Sequence, residues 1–217
     1  GRAIAEHYLA KGDTVVGCSR GNGSIEHHRY THYELDISDE RSVVRMLRET
    51  ARTHGLHALI NNAGIASMNP LMLSSLQAGR ELFDTNVFGP FITMREAAKC
   101  MRKQEYGRIV NFSSVAYPLD LEGEALYASS KAALESLTRI AARELASYHI
   151  TVNAVGPGPI DTDLIQHVAD DKMEALLQRQ AIPRKGTVKD VLQVIDFYLD
   201  PKSDFITGQT LYLGGVS

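Results

Sequence analysis

Cysteine is nearly absent from this chain. Of 217 residues only Cys18 and Cys100 carry a thiol, far apart and outside any Cys-x-x-Cys or Cys/His set at metal-ligand spacing, which excludes a disulfide framework and a zinc site. Such usage fits a reducing, cytoplasm-like compartment. Long hydrophobic runs are missing too: no stretch approaches the ~20 apolar residues needed to span a bilayer, and the first residues lack a signal-peptide pattern. A soluble, cytoplasmic protein without a membrane partner is expected. Nor is charge of one sign concentrated. The net charge is −3 and the Lys and Arg residues are scattered, so nothing here attracts a phosphate backbone and nucleic acid is not an expected partner. No repeat, low-complexity segment or linker interrupts the chain. What is present, 44% apolar and 23% charged residues, suits one globular domain over residues 1–217 with enough apolar side chains for a core.

Short β-branched runs alternate with longer helical patterns. "DTVVGC", "HALINNAG", "GRIVNFSS" and "HITVNAVGPG" read as strands, each nearly all apolar, as a strand buried on both faces must be. Helical candidates lie at residues 39–54, 74–104 and 125–148. In the last, Leu134, Leu137, Ala141 and Leu145 recur at three- and four-residue steps and form one apolar stripe. Ser38 is placed to cap the first. The alternation predicts an α/β fold, a doubly wound Rossmann-type parallel sheet covered on both faces.

One part of that pattern is missing. A doubly wound sheet normally opens with a strand and a Gly-rich turn, whereas "GRAIAEHYLAKGD" reads at once as an amphipathic helix closed by Gly12. The expectation is that the working protein carries that strand and turn ahead of Gly1; an intact mass equal to that of these residues would contradict it.

The stretch "ALYASSKAAL" at 125–134 puts a tyrosine and a lysine four positions apart in a helix built otherwise from small and apolar residues. That spacing stacks Tyr127 and Lys131 on one face, a turn apart. A phenol with pKa about 10 needs roughly 4 kcal/mol of differential stabilisation to shuttle protons near neutrality. Opposite unit charges about 4 Å apart attract by roughly that amount at an effective dielectric near 20. One well-placed lysine is therefore of the right size, although the same pair also occurs on ordinary helices with the lysine merely solvated.

The neighbouring motifs carry the decision. "NFSSVAY" supplies Ser114, thirteen residues before Tyr127; "DTNVFGPF" supplies Asn86, twenty-eight before Ser114; "NNAG" at 61–64 and "PGPIDT" at 157–162 each follow a strand. Singly, each is a loop former or a cap. Together, in this order and at these intervals, they resemble the short-chain dehydrogenase/reductase family over essentially the whole chain. The resemblance implies an NAD(P)-dependent oxidoreductase that interconverts a carbonyl and a secondary alcohol. Tyr127 would be the general acid/base, with Lys131 lowering its pKa and binding the nicotinamide ribose. Ser114 would bond the substrate oxygen, and Asn86 would anchor a water in a proton relay.

The resemblance also implies cofactor contacts. In this family the end of the second strand selects between the two nicotinamide dinucleotides, an acid there favouring NAD(H). This chain has Ser19 and Arg20 instead, and a hydroxyl beside a guanidinium suits a 2′-phosphate. NADP(H) is therefore expected over NAD(H), which remains possible; the alternative is that Arg20 is a solvated loop charge. Asp36 and Ile37 would lie near the adenine, and Asn62, Ala63 and Gly64 would line the cofactor through their backbones. Pro157, Gly158, Ile160 and Thr162 would flank the nicotinamide. Gly1 matches only the last glycine of the family's TGxxxGxG turn.

Two departures stand out. The passage from Arg20 to Asp36 is short, leaving little room for a helix that many relatives carry. It contains His27, His28 and His32, read as surface histidines in a loop because no carboxylate stands at metal-ligand spacing. Specificity would rest on two segments: "VAYPLDLEGEA" after the serine, and a stretch from Asp163 onward that could close as a lid. Tyr117, Leu119 and Leu164 suggest an apolar pocket for a small carbonyl or alcohol. The tail "FITGQTLYLGGVS" resembles 3-oxoacyl-acyl-carrier-protein-reductase-like members. Small residues Ala128, Ser129, Ala132 and Ala133 would permit close helix packing in a homo-oligomer, tetramer or dimer, as in the family, or equally within a monomer's core. The rival reading is a non-catalytic dinucleotide sensor, which the intact Tyr, Lys and Ser disfavour.

Overall fold

The computed structural model describes residues 1–161 and 170–216. Helix α1 (Arg2–Ala10) ends at Gly12, whose φ of 93° only glycine adopts without strain. Strand β1 (Val15–Ser19) follows, then β2 (Tyr30–Glu34), α2 (Glu40–His54) and β3 (Ala58–Asn61). A helical run comprises α3 (Leu76–Phe83), a π-turn over Asp84–Phe88 and α4 (Gly89–Met101), leading to β4 (Gly107–Phe112). The long α5 (Ala125–Leu145) precedes β5 (Ile150–Gly156), and α6 (Asp170–Gln178), α7 (Val188–Leu199) and β6 (Thr210–Tyr212) complete the described elements.

All pairings are parallel, β1 with β2 and β3-β4-β5-β6 in that order. The two sheets share one helical cover. Val16 and Cys18 of β1 and Tyr33 of β2 pack into the same cluster as Val43 and Met46 of α2, Ile92 and Ala97 of α4, and Ile109 and Val152 of the larger sheet. On the opposite face Ile4 and Tyr8 of α1 join Val191 and Ile195 of α7 over Val110 and Val155. The expected doubly wound α/β architecture is what forms. Every residue of β5 is buried, which explains why that segment is mostly apolar.

The helix expected at 74–104 is interrupted by the π-turn, whose extra residue per turn re-aims Asn86 inward. Ser38 does not cap α2. Asp39 does, accepting from the amides of Arg41 and Ser42, while the Ser38 amide and hydroxyl both donate to Asp36. The carboxylate is the better acceptor for exposed helix N–H groups. Residues 20–29 form no helix, as the short passage implied, but His32 lies within β2 and not in a loop. The stripe of α5 packs as expected, with Leu134 buried and Leu137, Ala141 and Leu145 against the core.

A chain of buried polar groups ties the sheet to its cover. Thr93 of α4 donates to the Asn61 side-chain oxygen at 2.7 Å, Asn61 donates to Asn111 at 2.8 Å, and Asn111 donates to Thr138 of α5 at 2.8 Å. Asn111→Leu would strand the Asn61 amide in an apolar interior, and each stranded group costs about 1–3 kcal/mol. We expect urea unfolding of this variant to show about 3 kcal/mol less stability. A loss below about 0.5 kcal/mol, the usual range for an uninvolved surface site, would contradict that reading.

Candidate active site

Because β3, β4 and β5 are adjacent and parallel, the loops leaving their carboxyl ends lie along one edge, and α5 crosses beneath them. That edge is where open α/β sheets bind ligands. The structure brings Ser114, Tyr127, Lys131, Asn86 and Gly64 together there.

Lys131 is 4% exposed and donates its ammonium to the Phe112 carbonyl at 2.8 Å. Its Nζ sits 5.6 Å from the centroid of the Tyr127 ring, so the two side chains do share a face of α5. Burial lowers the lysine to about 8, near enough to neutrality to exchange protons. Burial pushes the Tyr127 phenol up; the nearby Ser114 hydroxyl opposes that, and Glu124 pushes the same way as burial. Lys131 is not among the causes of that shift. The ammonium is held at the Phe112 carbonyl over the ring.

Asn86 is fully buried and nearly saturated. Its oxygen accepts from the Ile65 amide at 2.9 Å; its nitrogen donates to the Ile65 carbonyl at 2.9 Å and to Ser130 at 3.1 Å. It braces the loop after β3 and keeps a single free acceptor lone pair. Gly64 lies in that loop, where an added Cβ would stand 3.3 Å from the Asn86 oxygen and 3.6 Å from the Lys131 ammonium. Ala63 and Gly64 are exposed and small, leaving their backbone open to a ligand. Asn62 lies beside Gly1, whose Cβ would be 3.2 Å from the Asn62 amide nitrogen.

The remaining residues bracket this centre. Ser19 and Arg20 are exposed at the end of β1, and Arg20 acts electrostatically on Asp36, whose carboxyl is held below its usual range first by the Ser38 bonds. The half-buried Ile37 side chain packs on α4, 2.9 Å from the Cβ position of Gly89. The Pro157 carbonyl accepts from the Val115 amide, joining the loops after β4 and β5. Gly158 faces Gln180, and Ile160 forms a parallel bridge to Gly186. Thr162 and Leu164 lie outside the described residues, as does the first part of the expected lid. Leu119 is buried against Val115 and Val216, which leaves Tyr117 as the described apolar group facing outward near the serine.

Residues 1–216 match the profile of the enoyl-(acyl carrier protein) reductase family. A 3-oxoacyl-(acyl-carrier-protein) reductase, FabG, from Staphylococcus aureus is 37% identical over 84% of this chain and 74% of its own length. The Escherichia coli FabG is 32% identical over 99% of this chain and 91% of its own. The chain belongs to the short-chain dehydrogenase/reductase family. It is an NAD(P)-dependent oxidoreductase with a FabG-like sequence. Among solved structures, ElxO with NADP bound superposes at a TM-score of 0.90, 30% identical over 98% of this chain and 92% of ElxO. A tyrosine-to-phenylalanine variant of ElxO was solved with NADPH bound. A 4-hydroxyisoleucine dehydrogenase complexed with NADH has a TM-score of 0.89 at 27% identity, covering 100% of this chain and 93% of the other.

In this dehydrogenase/reductase three residues of the site went unread in the sequence. Ser130, between Tyr127 and Lys131, bonds Asn86. Glu135, one turn beyond Lys131, is buried and accepts from Ser113 and from Tyr212 of β6. It thereby ties the end of β4, which carries both the Lys131 acceptor and Ser114, to the sheet edge; the four-residue step from Lys131 was the available signal. Gln180 fills the space over Gly158 and Gly214, where any Cβ would come within 2.5 Å of its oxygen. No helix among the described residues is long and apolar enough to cross a membrane.

Proposed function

We propose that the chain catalyses reversible hydride transfer between NADP(H) and a carbonyl or secondary alcohol, with Tyr127 as general acid/base. The observation that carries this reading is the Tyr127 ring with the buried Lys131 ammonium 5.6 Å from its centroid, and the Ser114 hydroxyl near enough to act on the phenol, at the carboxyl edge of the sheet. Two hydroxyls converging there can hold one substrate oxygen. The residues present fit the dinucleotide: exposed, small Ala63 and Gly64 for close approach, and Ser19 with Arg20 for a phosphate.

When bound, NADPH supplies the hydride. During reduction the Tyr127 phenol gives its proton to the substrate oxygen while the Ser114 hydroxyl stabilises the charge that develops. Lys131, a cation over the ring, favours the phenolate left behind, and its lowered pKa lets it return a proton. Asn86 holds the floor of the site and offers its remaining lone pair to a water. Asp36, Ile37, Pro157, Gly158, Ile160 and Thr162 would complete the nucleotide cleft. Because FabG relatives are 3-oxoacyl reductases by name, 3-oxoacyl thioesters are the first carbonyls to assay. Free Cys18 and Cys100 suit a cytoplasmic setting.

Arg20 tests the cofactor assignment. Arg20→Ala removes charge-assisted bonds worth about 1.5–3 kcal/mol, so NADPH should bind about tenfold more weakly or worse with NADH unchanged. Michaelis constants in the wild type showing NADH equal to or better than NADPH would refute it. A homo-oligomer is also proposed: Phe88, Phe91 and Ile140 are 53%, 41% and 52% exposed near the small-residue face of α5. Light scattering should give a mass of two or four chains, and a single-chain mass would reject this.

A further inference from the structure

The connection from β1 to β2 has no helix to fix it, so something else must set the shape of residues 19–24. The imidazole of His32, on the neighbouring strand, meets that need. Its Nε2 lies 2.9 Å from the Gly21 carbonyl and 3.2 Å from the Ser19 hydroxyl oxygen, and its Nδ1 lies 3.0 Å from the Tyr30 phenol oxygen. A carbonyl can only accept, so Nε2 carries the proton and Nδ1 accepts from Tyr30. Gly23 crosses the ring closely enough that a Cβ there would stand 2.7 Å from it. Only glycine fits over this imidazole. The tyrosine is fixed in turn, because its phenol oxygen stands 2.4 Å from where a Cβ on Gly17 would be.

The proton arrangement matters for ligand selection. Ser19 also donates to the Gly21 carbonyl, at 2.9 Å, so that carbonyl has two donors. The Ser19 proton can turn toward an incoming phosphate oxygen while the imidazole N–H keeps Gly21 satisfied. Without the imidazole the exposed Gly21 carbonyl would fall back on water, and the turn would lose the side chain that fixes it. We propose that His32 is a positioning residue for 2′-phosphate selection, freeing the Ser19 hydroxyl and holding the turn that presents Arg20. This rests on the assignment of Ser19 and Arg20 to the cofactor phosphate.

The test is fluorescence titration of the full chain with NADPH and with NADH, for the wild type, His32→Leu, His32→Gln and Arg20→Ala. For His32→Leu the NADPH dissociation constant should rise about tenfold while that for NADH changes by less than about twofold. His32→Gln, which retains a donor, should recover part of the loss. Equal weakening of both nucleotides would make the imidazole a structural prop and overturn the proposal, as would no change for either. If the wild type prefers NADPH and Arg20→Ala loses that preference while His32→Leu keeps it, this inference fails and the cofactor reading stands. If the wild type shows no preference, both fall. Should His32→Leu prove unstable, His32→Gln and Ser19→Ala carry the test, the latter expected to lose NADPH selectivity to a similar extent.

Discussion

Tyr127→Phe should lower kcat by about a thousandfold or more, the upper range for loss of a positioned acid/base, while NADPH binding stays within about twofold. The substitution removes one oxygen and keeps the ring, which packs with Leu82 and Ala116 in a small cluster. Stability should therefore hold within about 1 kcal/mol, because a single hydroxyl is removed and the ring stays packed. The ElxO variant with the same change in residue type was solved with NADPH bound, so such a change is compatible with the nucleotide in that relative. A stopped assay of NADPH consumption with a 3-oxoacyl thioester, paired with nucleotide titration, reads both quantities. Turnover within tenfold of wild type would remove Tyr127 from the chemistry.

Lys131→Met should trade activity for stability. The native lysine is lowered by burial from 10.5 to about 8, a difference equivalent to about 3 kcal/mol. The sign follows from linkage. Between those two pH values the unfolded chain binds more protons than the folded one, so this group's destabilisation is fully present below about pH 8 and disappears as the pH rises through about 10.5. Methionine fills similar space without a charge but loses the bond to Phe112, which offsets about 1 kcal/mol. Urea unfolding near pH 7 should show the variant about 2 kcal/mol more stable, the gain falling above about pH 8 and reversing to a loss of about 1 kcal/mol above about pH 10.5. Turnover should fall by about a hundredfold or more. A variant less stable than wild type at neutrality would mean that the ammonium is better solvated than its burial indicates. A buried charge retained against its own cost is the usual signature of a functional site.

Much of the fold was legible in the sequence because burial on both faces leaves a plain signal. The runs ending in Asn61, Phe112 and Gly156 are mostly apolar and β-branched, and their intervals carry helical periodicity. β2 was hidden because "YTHYE" alternates polar groups and histidines, with its faces only partly covered. β6 was hidden because three residues give no periodicity. Ser38 was mistaken for a cap since hydroxyl and carboxylate compete at adjacent positions, and geometry alone decides between them. In the site, the residues brought together by strand ends were legible through motif spacing. Their electrostatics were not. Spacing places an ammonium and a phenol on one face of a helix, but whether the phenol is lowered depends on where Nζ is tethered and how deeply the ring is buried, neither of which a sequence states. The same limit hid Glu135 and His32, whose meaning comes from partners contributed by other strands.

The central claim is that Tyr127 and Ser114 hold one substrate oxygen beside the nicotinamide. It is tested most directly by a crystal structure of the full chain with NADP+ and the alcohol product of its best substrate. The expected result places the alcohol oxygen within about 3.2 Å of both the Tyr127 and Ser114 hydroxyls. An alcohol oxygen bound to neither hydroxyl would contradict it.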